Sequence, residues 1–146
     1  MMNSAGSVIY LSHGGGPLPL LGDPGHQDML RVFAKMSAVL SKPSSILVIS
    51  AHWEENQPTI TSGASPGLIY DYYGFPEASY AIPYPAPGNP VLAYKIFTLL
   101  QNQGIAAKLD DRRGFDHGLF VPLKILYPEA AIPCVQLSLV NSFQPD

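Results

Sequence analysis

The run Ser45–Ala51, "SILVISA", constrains this chain more than any other stretch. Four aliphatic residues stand in a row, and three of them, Ile46, Val48 and Ile49, are β-branched. Such side chains are stiff about χ1 and suit a pleated strand, and the run is too short for a typical helix. Apolar residues at every position, rather than every second one, predict a strand covered on both faces, as in parallel sheets flanked by helices. The helices follow from the neighbouring sequence. His26–Ser41 carries Met29, Phe33, Met36 and Leu40 at spacings of four, three and four, one face of an amphipathic helix, and Pro43 ends it. "VLAYKIFTLLQNQG" is framed by Asn89 as N-cap, Pro90 at the first helical position and Gly104 after the last turn. Val8–Ser12, Pro58–Ser62, Ile105–Leu109 and Pro133–Leu139 read as further strands, and His117–Tyr127 as a short helix. The alternation predicts one α/β domain over residues 1–146, with a mostly parallel or mixed central sheet flanked by helices. No helix is expected to close the chain after the last strand.

Composition narrows the function classes. With 47% hydrophobic and 13% charged residues, the chain is neither disordered nor a solvated tail. A net charge of -3 without any basic run argues against nucleic acid as a partner. No apolar run approaches the ~20 residues that span a bilayer, and no signal-peptide pattern opens the chain, so no membrane partner is expected. Cys134 is the single cysteine, cannot form an internal disulfide and fits a reducing compartment, so a cytoplasmic location is expected. Tyr70, Tyr72, Tyr73, Tyr80 and Tyr84 crowd one Pro/Gly-rich stretch, Gly63–Gly88, which reads either as a functional loop or as a packed loop with aromatic plugs.

Three histidines are placed where chemistry is expected. Ligands of α/β sheets sit beyond the carboxyl ends of strands. His13 follows Val8–Ser12 in "VIYLSHGGGPLPL", and His52 follows Ser45–Ala51 in "VISAHWEE". His117 opens a helix after the strand near Leu109. Convergent imidazoles suit Zn, Fe, Cu or Ni, whereas a lone histidine at a strand end is more often a hydrogen-bonded structural residue. Both readings stand on spacing alone. His26 reads as a capping or surface residue, and Glu54 as a helper at most. Walker and dinucleotide glycine fingerprints are absent, and "HGGG" is not accompanied by G-x-S-x-G.

Taken together, "SHGGGP", "VISAHWE", "IYDYYGFP", "YPAPGNP", "RGFDHGLFVPL" and "YPEAAIPCVQLSL" resemble, in this order, the class III extradiol ring-cleavage dioxygenases of the DOPA dioxygenase type. The resemblance runs from about Val8 to Ser142. It implies oxidative opening of a catechol such as DOPA, with O2 as co-substrate. It also implies a non-haem Fe(II) centre, with zinc as an alternative occupant, ligated by His13 and His52. His117 matches a catalytic pocket residue that contacts substrate or oxygen, and Tyr72 and Phe75 match the loop lining the aromatic pocket. The glycines after His13 would then leave room for a planar ring and dioxygen. Members of the family are longer, and no histidine follows His117 to match the family's acid/base residue. Glu129 and Asp146 do not match its third metal ligand. The chain is therefore expected to be C-terminally truncated relative to the family and weakly active or inactive alone, the alternative being a non-catalytic isoform or fragment.

Overall fold

The structure, a computed structural model, describes residues 6–142. Four strands, β1 (Ile46–Glu55), β2 (Thr59–Thr61), β3 (Lys108–Asp110) and β4 (Cys134–Val140), form one sheet in the order β1-β4-β2-β3. β1 and β4 are parallel, β2 and β3 are parallel, and β2 meets β4 antiparallel, so the sheet is mixed. The three helices are α1 (Gln27–Val39), α2 (Pro90–Asn102) and α3 (His117–Leu126). The predicted frame of α2 is observed: the Asn89 side chain accepts the Leu92 N–H, Pro90 is the first helical residue, and Gly104 takes a left-handed φ of 76°.

The sheet separates two apolar layers. Cys134 of β4 joins Phe115, Leu119, Phe120, Val121 and Leu123 on one side, where Ile46 and Val48 of β1 also pack. Val135 points the other way, to Ile60, Ala93 and the α2 residues Leu92, Ile96, Phe97 and Leu100. β4 is thus covered on both faces. α3 is apolar on nearly every side, as expected of a helix inside the core, with α1 packed over it.

β1 departs from its expected place. It lies at the sheet edge, and Leu47 and Ile49 on its second face remain 43% and 59% exposed, because α2 covers only the β2, β3 and β4 side. Val8–Ser12 forms no strand, and Val8 and Tyr10 are each 99% exposed. The unbroken apolar run in that segment favours a strand but supplies no partner, and none of the described strands pairs with it. The end of the chain beyond Ser142, including Asp146 and the expected absence of a closing helix, lies outside the described residues, as do residues 1–5.

The tyrosine-rich stretch is tied down by its own hydroxyls. Tyr70 donates to the Ile82 carbonyl at 2.7 Å, Tyr72 to Ser79 at 2.6 Å and Tyr84 to Tyr127 at 3.2 Å. Single bridges from Leu68 to Phe115 and from Gly88 to Cys134 anchor its two ends. A segment with little regular structure thereby satisfies its carbonyls with side chains instead of a ladder.

Candidate metal centre

His13, His52 and His117 come from three separate parts of the chain and meet at one point, with ligand nitrogens all within 4.8 Å of one another. His13 Nε2 and His52 Nε2 are 2.7 Å apart, and the His52 and His117 rings have centroids 4.0 Å apart. His117 is buried, His13 half-buried and His52 exposed, so the trio is open on one side.

Each histidine is positioned differently. His52 sits inside β1, not after it. Between Ile49 and Glu54 the strand advances five residues while β4 advances only from Leu137 to Leu139. The surplus backbone is a bulge, a device that redirects side chains next to functional sites. His117 is the first residue of α3, whose N-cap is Asp116. Its Nδ1 lies 2.7 Å from Asp71 Oδ1, which also accepts the His117 backbone N–H at 3.0 Å. With Nδ1–H donated to the carboxylate, Nε2 keeps its lone pair free.

His13 leads into three glycines that do not leave open space. A Cβ on Gly14 would lie 2.5 Å from His26, and one on Gly16 would lie 3.1 Å from Phe75. Both glycines have positive φ, so the turn needs them for its backbone as well. His26 makes no capping bond. Its Nε2 accepts the Gly15 N–H at 3.0 Å and its Nδ1 meets Asp23 at 2.6 Å, pinning the glycine turn.

The walls of the site come from the tyrosine-rich stretch. The Tyr72 ring stands edge-on to His117 at 5.5 Å, and Phe75 packs on Tyr72 at 5.4 Å. Tyr72 therefore adjoins the trio through His117, and Phe75 stands behind it against Tyr72. Glu54 is exposed and belongs to no cluster with it. A groove of about 580 Å³, lined by Glu55, Leu68, Asp110, Arg112 and Arg113 among others, contains none of the three histidines.

The electrostatics favour neutral imidazoles. Burial pushes the His13 pKa below its ordinary value, reinforced by His117 and His52, with Asp116 opposing. Burial followed by His117 does the same to His52, against Asp116 and Asp71. For Asp71, burial pulls upward, but the hydrogen bonds from His117 outweigh it and the carboxyl lies below its usual range. Burial pushes the Tyr72 hydroxyl up to about 12. A metal ligand must offer a lone pair, so neutral His13 and His52 are the binding form. His13 Nδ1 is buried without a partner.

Sequence reasoning found the three histidines but missed the acids that hold them. Asp71 lies within "IYDYYGFP", and Asp116 directly precedes His117 in "FDHG". An acid inside the pocket motif and another inside the His117 motif were the available signal. Ser50 and Arg113, both bonded to Asp116, carried none.

The chain is thus an open mixed α/β domain with three histidines gathered where they could hold a metal ion. Residues 7–145 match the family described as the catalytic LigB subunit of aromatic ring-opening dioxygenase, and the chain belongs to that family. Dioxygenase tasH of Hapsidospora irregularis is 46% identical over 94% of this chain and 45% of its own length. The 4,5-DOPA dioxygenase extradiol of Escherichia coli is 40% identical over 92% of this chain and 48% of its own. That of Portulaca grandiflora is 50% identical over 67% of this chain and 36% of its own. A crystal structure of an uncharacterized protein from Escherichia coli K12 superposes with a TM-score of 0.58 at 37% identity, covering 75% of this chain and 39% of that one. The chain spans about half the length, or less, of these relatives.

Proposed function

We propose that the chain forms the metal-binding part of an extradiol dioxygenase that opens a DOPA-like catechol with O2. The observation that carries this reading is the convergence of His13, His52 and His117 in a chain of the LigB family. The substrate class is supported by the relatives named 4,5-DOPA dioxygenase extradiol. In this reading His13 and His52 hold a non-haem Fe(II) ion, with zinc as the alternative occupant. The donors fit: the imidazoles are held in the neutral form by burial and one side of the trio is open. Either ion would supply charge stabilisation when bound, and iron alone, being redox-active, would also supply an electron path between ring and dioxygen.

The chain's own residues do the rest. His117 accepts a catechol proton at Nε2, because Asp71 fixes the tautomer through Nδ1. Tyr72 contributes a wall and not a proton, since its hydroxyl is engaged by Ser79 and its pKa stands at about 12. Phe75 extends that wall.

One observation favours a second reading, in which the chain alone holds metal but turns over weakly or not at all. The facial arrangement of non-haem iron oxygenases uses two histidines and one carboxylate. Among the described residues the cluster contains three histidines and no carboxylate.

Anaerobic Fe(II) titration of the purified chain, with His13→Ala and His52→Ala beside it, tests the proposal. One-to-one binding that disappears in both variants supports the site, and binding indifferent to both refutes it. DOPA ring opening by the iron-loaded chain then separates the two readings.

A further inference from the structure

The surplus backbone of β1 raises a structural problem. Bulged residues leave the ladder, so strand pairing alone does not orient His52. The residues that bracket it are nevertheless both held. Ser50 Oγ donates to Asp116 Oδ1 at 2.8 Å and accepts the His52 backbone N–H at 3.1 Å. The guanidinium carbon of Arg113 lies 4.2 Å from the centroid of the Trp53 ring, and Arg113 also pairs with Asp116 Oδ2 at 3.2 Å. Asp116 is fully buried, and Oδ1 further accepts the Gly118 N–H at 3.0 Å as the N-cap of α3. Its own N–H reaches Gln136 Oε1 on β4 at 3.3 Å.

We propose that Arg113 and Asp116 form a clamp that holds His52 and His117 in fixed relation, with Asp116 as its positioning residue. One carboxylate is bonded to the bulge that carries His52 and to the first turn of the helix that begins with His117. Neither Arg113 nor Asp116 is one of the converging histidines. A buried carboxylate is costly unless it is paired and hydrogen-bonded, so the site retains Asp116 only with these partners in place. The small residue at position 118 belongs to the same device, because a Cβ there would lie 2.5 Å from Ser50 Oγ and 3.0 Å from His52 Cδ2. Second-sphere partners of this kind change metal affinity by about 10- to 100-fold.

The consequence for metal rests on the metal-site reading above, so the test has a metal-free arm. In the purified chain without metal, NMR hydrogen exchange is followed at the His52 and Gly118 amides for Ser50→Ala, Arg113→Lys and Tyr84→Phe. The last removes a buried hydroxyl bonded to Tyr127 away from the trio and controls for general destabilisation. The clamp predicts about tenfold faster exchange at both amides in Ser50→Ala, a smaller rise in Arg113→Lys and none in Tyr84→Phe. Titration with Co2+ alone should then show about 10- to 100-fold weaker binding for Ser50→Ala, recovered by Ser50→Thr, which keeps the hydroxyl. Unchanged exchange at both amides overturns the clamp, as does Co2+ affinity no weaker than that of Tyr84→Phe. Should Ser50→Ala not fold, Arg113→Lys carries the same comparison. Accelerated exchange in a chain that binds no Co2+ supports the clamp and rejects the metal reading.

Discussion

Gly118→Ala sets two effects of opposite sign against each other. Gly118 is the second residue of α3 and its φ is not left-handed. By helix propensity alone, alanine there should stabilise by about 1 kcal/mol. The tertiary structure opposes this. The added Cβ would lie 2.5 Å from Ser50 Oγ, 3.0 Å from His52 Cδ2 and 3.1 Å from Asp116 Oδ1. All three contacts are closer than ordinary van der Waals distance, and two are to atoms of the buried Ser50–Asp116 bond. Overpacking costs about 1–3 kcal/mol. Displacing Ser50 leaves a buried carboxylate short of one donor, at about 1–3 kcal/mol more. After the propensity gain, the net loss is about 1–5 kcal/mol, which lowers Tm by roughly 3–16 °C for a domain of this size. Differential scanning calorimetry of the two proteins reads this directly. A Tm equal to or above that of the unsubstituted chain would refute the close approach of α3 to the bulge.

Four further outcomes are expected. Urea unfolding should show lower stability at about pH 5 than at about pH 7.5. His13 and His52 have native pKa values below 6.5, so the unfolded chain binds more protons below that value and stability falls as pH drops through it; a flat profile over this range contradicts the burial of the pair. Asp71→Ala removes the acceptor of two His117 N–H groups and should cost about 1.5–3 kcal/mol in thermal unfolding, with a Tm unchanged by the substitution counting against the pairing. Val8→Lys and Tyr10→Lys should each change stability by less than about 0.5 kcal/mol, since both side chains stand in solvent; a loss of several kcal/mol would instead place Val8–Ser12 in a packed strand. Burial pushes the Cys134 thiol up to about 12, so a disulfide reagent should leave the native chain unmodified and react fully in urea.

Much of the site was legible in the motifs because its residues are fixed by local chemistry. The Asn89–Pro90 start of α2 appears as expected, since a cap needs only its own next turn. His117 opens α3 because Asp116 beside it is the N-cap. His13, His52, His117, Tyr72 and Phe75 each stand in a short recognisable sequence, and the fold brings them together. The acids were harder to read. Asp71 lies 46 positions from His117, and Ser50 lies 66 positions from Asp116, so nothing in local spacing announces either bond.

By itself the sequence determined the approximate places of the three helices and of four of the five expected strands, because those choices depend on side-chain shape and period within a few residues. It determined the family through motif order, and the presence of three imidazoles. Only the tertiary structure decided that β4, and not β1, is the doubly covered strand, because coverage depends on where α2 lands and not on how apolar a strand is. It likewise decided that Val8–Ser12 stays unpaired, since β1 and β3 each keep a free edge and the segment pairs with neither, whatever its own apolar character. It decided too that the glycines after His13 are filled by His26 and Phe75. The relation between His52 and His117 was decided there as well, by a bulge and a buried carboxylate whose geometry exists only once distant segments have packed.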